Sequence, residues 1–157
     1  MSVFMKLYMK NDLDLLGNIE ALFKYFRFES EVKILDLGKP SEVAVVNKPE
    51  RFMAAVRILN RFRYIPTELG IEPNVVIDFE LDSQWRESRT EIMWDSLDLL
   101  RQTTWNSALI HGDASPLFVR RNSKLFLNSR YVDENLWTQE RLDWVDMPYT
   151  LEELPEI

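Results

Sequence analysis

A chain of 157 residues with nine Phe, five Trp and five Tyr in a 46% apolar composition has the length of one domain and enough side chain to fill one core, which excludes wholesale disorder. Cysteine is absent, so disulfides, thiolate nucleophiles and Cys-ligated zinc or iron–sulfur centres are excluded, and the reducing cytoplasm is the expected compartment. The net charge of −7 is unevenly placed: residues 1–64 hold 11 Lys and Arg against 8 Asp and Glu, residues 65–157 hold 8 against 18, and the two parts carry +3 and −10.

An acidic C-terminal half argues against nucleic acid, whose phosphates demand cations. It suits plain solubility or a basic protein partner. The N-terminal segment has no basic stretch followed by an uninterrupted apolar run, and no long apolar window occurs, so neither export nor a membrane span is expected.

Val3 to Met9 alternates apolar positions on one face, which predicts a strand. Asn11 is the expected N-cap of a first helix over about 12–26, because Leu15, Leu16, Ile19, Leu22, Phe23 and Phe26 recur at helical steps. Val32–Leu37 and Glu42–Asn47 are β-branched runs around Gly38–Ser41 and should pair as a hairpin. Pro49 and Glu50 are expected to open a second helix through Phe52, Val56, Leu59 and Phe62 or Arg63, ended by Pro66 and Gly70. An extended run over Asn74–Leu81 follows.

Ser88 with Glu91 has the spacing of a capping box ahead of a third helix over about 89–103, with Met93, Trp94, Leu97 and Leu100 on its stripe. Ala108–His111, Pro116–Arg121 and Lys124–Asn128 read as short strands, the last two joined at Asn122 and Ser123. Thr138 can cap a final helix through Val145, and the tail from Met147 reads as an irregular strap. The order βαββαβαβββα predicts a single α+β domain over residues 1–157, with a largely antiparallel sheet and about four helices packed on it.

Chemistry has few places to reside. His111-Gly112-Asp113 resembles the start of the catalytic loop of aminoglycoside-kinase-like phosphotransferases, but Phe118 stands where that loop needs a metal-binding Asn, and four glycines leave little for a phosphate-cradling loop. The lone histidine makes neither a two-histidine metal site nor, without a nucleophile elbow, a serine triad, and is expected as a satisfied surface or turn residue. No catalytic, cofactor or metal residue is assigned, and the chain is not expected to be an enzyme.

Asp78, Glu80 and Asp82 alternate with Ile77, Phe79 and Leu81, so in a strand the three carboxylates share one face. Such a face needs water or cations. It is either a solvated surface paired with Lys or Arg on a neighbouring strand or a docking face for basic side chains; a hard-cation site would need six or more oxygens in a looser geometry. A glycosidase-type carboxylate pair would want an aromatic cleft that the sequence does not trace. Trp94 falls on a helical stripe and is expected in the core or subcore, whereas Trp85, in DSQWRES, is expected to be exposed. Asp78, Glu80, Asp82 and Trp85 are therefore the candidate partner-binding residues.

The run Gly112-Asp113-Ala114-Ser115-Pro116-Leu117-Phe118-Val119-Arg120-Arg121, then Lys124-Leu125-Phe126-Leu127-Asn128, Leu136-Trp137-Thr138, Arg141-Leu142, and Met147-Pro148-Tyr149-Thr150 to Leu154-Pro155 resembles the Sit-type immunity proteins of bacterial contact-dependent toxin systems. Pro73 to Asp82 is similar to that family's middle strand, so the resemblance covers residues 73–157; the first 70 residues carry no shared pattern. It implies a cytoplasmic antidote that binds and silences a cognate protein toxin without catalysis or cofactor. No toxin-contact residue is carried over from the family. The other readings are a non-enzymatic adaptor or homodimeric scaffold, and an enzyme acting on a small molecule through His111 and Asp113.

Overall fold

The structure, a computed structural model, describes residues 2–26, 32–36, 42–48, 52–59, 70–82, 86–111, 115–133 and 136–155. The elements in chain order are β1 (Ser2–Lys10), α1 (Leu15–Phe26), β2 (Val32–Asp36), β3 (Glu42–Lys48), β4 (Phe52–Ile58), β5 (Val75–Asp82), α2 (Arg86–Gln102), β6 (Asn106–His111), β7 (Ser115–Arg121), β8 (Lys124–Asn128), α3 (Arg130–Asp133), α4 (Gln139–Trp144) and β9 (Tyr149–Glu152). Among the described residues nine strands form one sheet in the order β2-β3-β4-β5-β1-β6-β7-β8-β9. All neighbours are antiparallel except β8 and β9, which run parallel across the crossover made by α3 and α4. This is the α+β class that the sequence predicts.

The period-two pattern of the central strands sorts the sheet into two unlike faces. Met5, Leu7 and Met9 of β1 and Ile77, Phe79 and Leu81 of β5 are buried together with Leu15, Ile19, Leu22 and Phe26 of α1 and Ile92, Met93 and Leu97 of α2. The ring of Phe26 meets that of Phe79 at 5.1 Å between centroids. On the opposite face a smaller cluster, built on Tyr8, Val76, Ala108, Ile110 and Val119, is closed over by Ile71 and Leu154. Asn122 and Ser123 both take positive φ, 50° and 63°, the two-residue primed turn that keeps the twist of β7 and β8 continuous.

Four readings of the sequence change. Residues 52–58 are not the start of a second helix but the strand β4, hydrogen-bonded between β3 and β5, with Ala54 and Val56 buried and Ala55 and Arg57 only partly so. The expected start of that helix at Pro49 and Glu50 and its last residues, 60–63, lie outside the described residues. Asn11 does not cap α1; Asp14 does, its carboxylate accepting from the Gly17 amide at 2.8 Å. Helix α2 begins at Arg86, so Ser88 lies within it rather than ahead of it. The tail is not wholly irregular, because Tyr149–Glu152 adds β9 to the sheet.

Asn11 has a different task. It is 5% exposed, its side-chain amide donates to Asn18 Oδ1 at 2.8 Å, and its own Oδ1 accepts from the Leu13 amide at 3.0 Å. Asn74 closes the group from just ahead of β5: its Oδ1 accepts from the Asn11 amide at 2.9 Å and its Nδ2 donates to the Asn11 carbonyl at 2.8 Å. A buried polar group is tolerable only when partnered, and here three asparagines partner one another. Asn11→Ala leaves the Leu13 amide and Asn18 Oδ1 without these bonds and should cost about 1–3 kcal/mol. A lowered urea midpoint at unchanged slope is the expected result; a wild-type midpoint would remove this group from the account of the β1–α1 corner.

Candidate partner-binding face

The face opposite the helices is charged where it is not covered. Along β5 the alternation that buries Ile77 and Phe79 leaves Asp78 and Glu80 half-buried on the other side. Asp78 lies opposite Lys6 on β1 and Ala55 on β4, while Glu80 lies opposite Phe4 and Met53.

Asp78 is held from both sides. Arg57 Nε donates to its Oδ2 at 3.1 Å, and Lys6 Nζ stands 3.8 Å from Oδ1. Its charge is therefore balanced within the sheet, which is what three like carboxylates in a row require somewhere along their length. Partly exposed pairs of this kind contribute only about 0–1 kcal/mol each. Their main effect is to set the local field. Next to Glu80, Phe4 is 47% exposed, an aromatic ring on the solvent side of two central strands. Asp82 ends β5 opposite Ser2 in register, and Trp85 lies outside the described residues. The structure thus brings Asp78 and Glu80 onto one surface with Lys6, Arg57 and Phe4, and of these only Asp78 and Glu80 were singled out from the sequence. Phe4 was legible as the off-face position of a strand whose alternate residues are apolar.

His111 ends β6, and its Nε2 lies 3.1 Å from Arg89 Nη1 on α2; residues 112–114, including Asp113, are outside the described residues. Trp94 is partly buried against the main core, as its stripe predicts, and its ring lies 6.1 Å from that of Trp144. Trp144 is 56% exposed and was not singled out. Among the described residues no group of three or more His, Asp or Glu could hold a metal ion, and no helix is long and apolar enough to cross a membrane.

A shallow cavity of about 380 Å³ lies at the C-terminal end of α2, with Arg101, Thr103 and Arg120 in its wall. Its cations are already occupied. Arg120 is 7% exposed and donates to the carbonyls of Leu100 and Trp105 (the latter at 2.8 Å) and to Thr103 Oγ1 at 3.0 Å. Burial lowers its pKa to about 10, which leaves it protonated at neutral pH. Arg101 pairs with Asp98 and donates to the Val145 carbonyl at 3.2 Å. Arg120 ties the end of α2 to β7, and Arg101 ties it to the end of α4.

The chain matches no family model, no curated protein and no solved structure.

Proposed function

We propose that this chain is a non-catalytic immunity protein that binds and silences a cognate bacterial toxin in the cytoplasm. Two things support the reading: the ordered C-terminal pattern that resembles Sit-type immunity proteins, and a charge of −10 over residues 65–157, which suits a basic protein surface. The observation that carries the docking face is Phe4, exposed and directly opposite Glu80 on central strands. An aromatic ring beside a carboxylate supplies area and direction together.

The face divides its labour. Asp78 is the internal partner of Lys6 and Arg57, whereas Glu80 and Asp82 are assigned to the toxin. Neutralising Asp78, Glu80 and Asp82 together should slow association by roughly tenfold or more and flatten its salt dependence, and Glu80→Gln with Asp82→Asn should retain most of that effect. Stopped-flow binding to the product of the adjacent gene measures it. Unchanged rates and salt slope would remove this face, and a neighbour whose expression is harmless without this chain would remove the toxin. The second reading, a homodimeric scaffold, draws on the other exposed apolar side chains, Leu16 and Trp144 among them. Sedimentation showing a concentration-dependent dimer with no affinity for the neighbouring protein would favour it.

A further inference from the structure

β9 ends the sheet, and its outer edge has hydrogen-bonding groups to offer. The Ser129 amide donates to the Glu152 carbonyl at 2.9 Å, so Glu152 turns its backbone groups toward β8. In a parallel pair the N–H and C=O of one residue point the same way and those of its neighbours point the other way, so Tyr149 and Leu151 aim theirs away from the sheet.

The side chains of the same two residues form an apolar surface. Tyr149 and Leu151 stand in register with Leu125 and Leu127, both buried in the main core on the helix-bearing side. Yet Tyr149 is 37% exposed and Leu151 43%, and so is much of Trp144 on the preceding α4. The core face of the sheet runs one strand past its helical cover. Pro148 and Pro155, with no N–H to give, bound this edge on either side.

Charge says what fits there. Residues 139–157 hold six Asp and Glu against one Arg. A second copy pairing along β9 would bring two such segments together, whereas a basic strand is attracted. We propose that β9 is a strand-addition site: an extended segment of another protein, alternating apolar residues with Lys or Arg, pairs along Tyr149–Glu152 and seats its apolar side chains on Tyr149 and Leu151. This surface lies five strands from β5, about 24 Å at the usual strand spacing, and does not depend on what binds beside Phe4.

The test is a titration of the isotope-labelled full chain with a synthetic peptide alternating Lys and Val, followed by amide NMR and hydrogen exchange. Shifts and slowed exchange at Tyr149 and Leu151, loss of binding when Glu replaces Lys in the peptide, and weakening by about tenfold or more in Leu151→Pro are expected. Tyr149→Ser keeps the backbone edge and removes an anchor, so a severalfold weakening there covers the case in which proline loosens β9. No response at β9, or equal affinity in wild type and both variants, overturns the proposal. So does self-association abolished by Leu151→Pro, which would make a second copy the occupant. None of these results bears on whether Glu80 and Asp82 recognise the neighbouring protein, so the two surfaces stand or fall separately.

Discussion

Arg120→Ala is expected to remove roughly 3–5 kcal/mol of stability, a large part of the about 5–15 kcal/mol that holds a domain of this size together. Arg120 is buried, and its guanidinium reaches the Leu100 carbonyl, the Trp105 carbonyl and Thr103 Oγ1 at once. Near the end of α2 the Leu100 carbonyl receives the Thr103 amide at a long 3.4 Å, and a cation placed there adds a stronger partner and complements the helix dipole. Alanine would take all three bonds away at once, leaving the Leu100 carbonyl its long bond from Thr103 and the Trp105 carbonyl that from Ser107 Oγ at 3.3 Å. Arg120→Lys separates charge from geometry: it keeps the cation, but a single ammonium lacks the planar fork that spans separated acceptors, so its loss should be intermediate. Urea unfolding of the two variants measures this. If Arg120→Ala unfolds at the wild-type midpoint, the end of α2 is held by something else, and Thr103, whose hydroxyl also donates to the Leu99 carbonyl at 2.9 Å, becomes the first alternative.

Trp137→Ala should cost about as much by another route. Trp137 is fully buried at the junction of α3 and α4, its indole N–H donates to the Leu117 carbonyl of β7 at 3.3 Å, and its backbone amide donates to the Tyr131 carbonyl at 3.2 Å. Removing the ring opens a cavity under both short helices, for which roughly 3–5 kcal/mol is typical, or a fall of roughly 6–20 °C in melting temperature for a chain of this length. Neither helix is long enough to persist alone, so the loss should spread along the crossover that delivers β9. Trp137→Phe keeps most of the volume and loses only the indole bond, so thermal unfolding should place it about 1–2 kcal/mol below wild type. Equal melting temperatures for Trp137→Ala and wild type would mean that the crossover is not anchored by this ring.

What the sequence made legible follows from how local each signal is. β5 could be read directly, because Ile77, Phe79 and Leu81 alternate with carboxylates, and a strand buried on one side needs that period. Helix α1 was legible for the same reason at the other period. Residues 52–58 were not: Ala54 and Ala55 fit either conformation, and Phe52, Val56 and Leu59 happen to stand at helical steps. The strand exists because β3 and β5 lie on either side of it, a fact that no short window contains. Asn11 failed as a cap because Asn18 and Asn74 take up its side chain and backbone, and Asn74 is 63 residues away.

The candidate face shows the same division. That Asp78 and Glu80 share a surface was legible; that Lys6 and Arg57 enclose Asp78 depends on register, which only the folded sheet fixes. Arg120 sits in a run that reads as a strand ending in exposed cations, and its acceptors are main-chain carbonyls that leave no trace in sequence. Trp144 could have been found. In a helix whose buried side is set by Leu142 and Val145, a residue two positions after Leu142 points away from the core.

The place of β1 has a consequence for how the molecule is made. Lys6 lies opposite both Asp78 and Ile110, so β1 is translated long before either strand that flanks it. A nascent chain that has released β1 but not yet β6 holds an apolar ribbon with at least one unsatisfied side, the kind of segment chaperones recognise. The sheet can close only after residue 111 has left the ribosome, and the chain's contacts are correspondingly remote in sequence, which places its folding among the slower topologies.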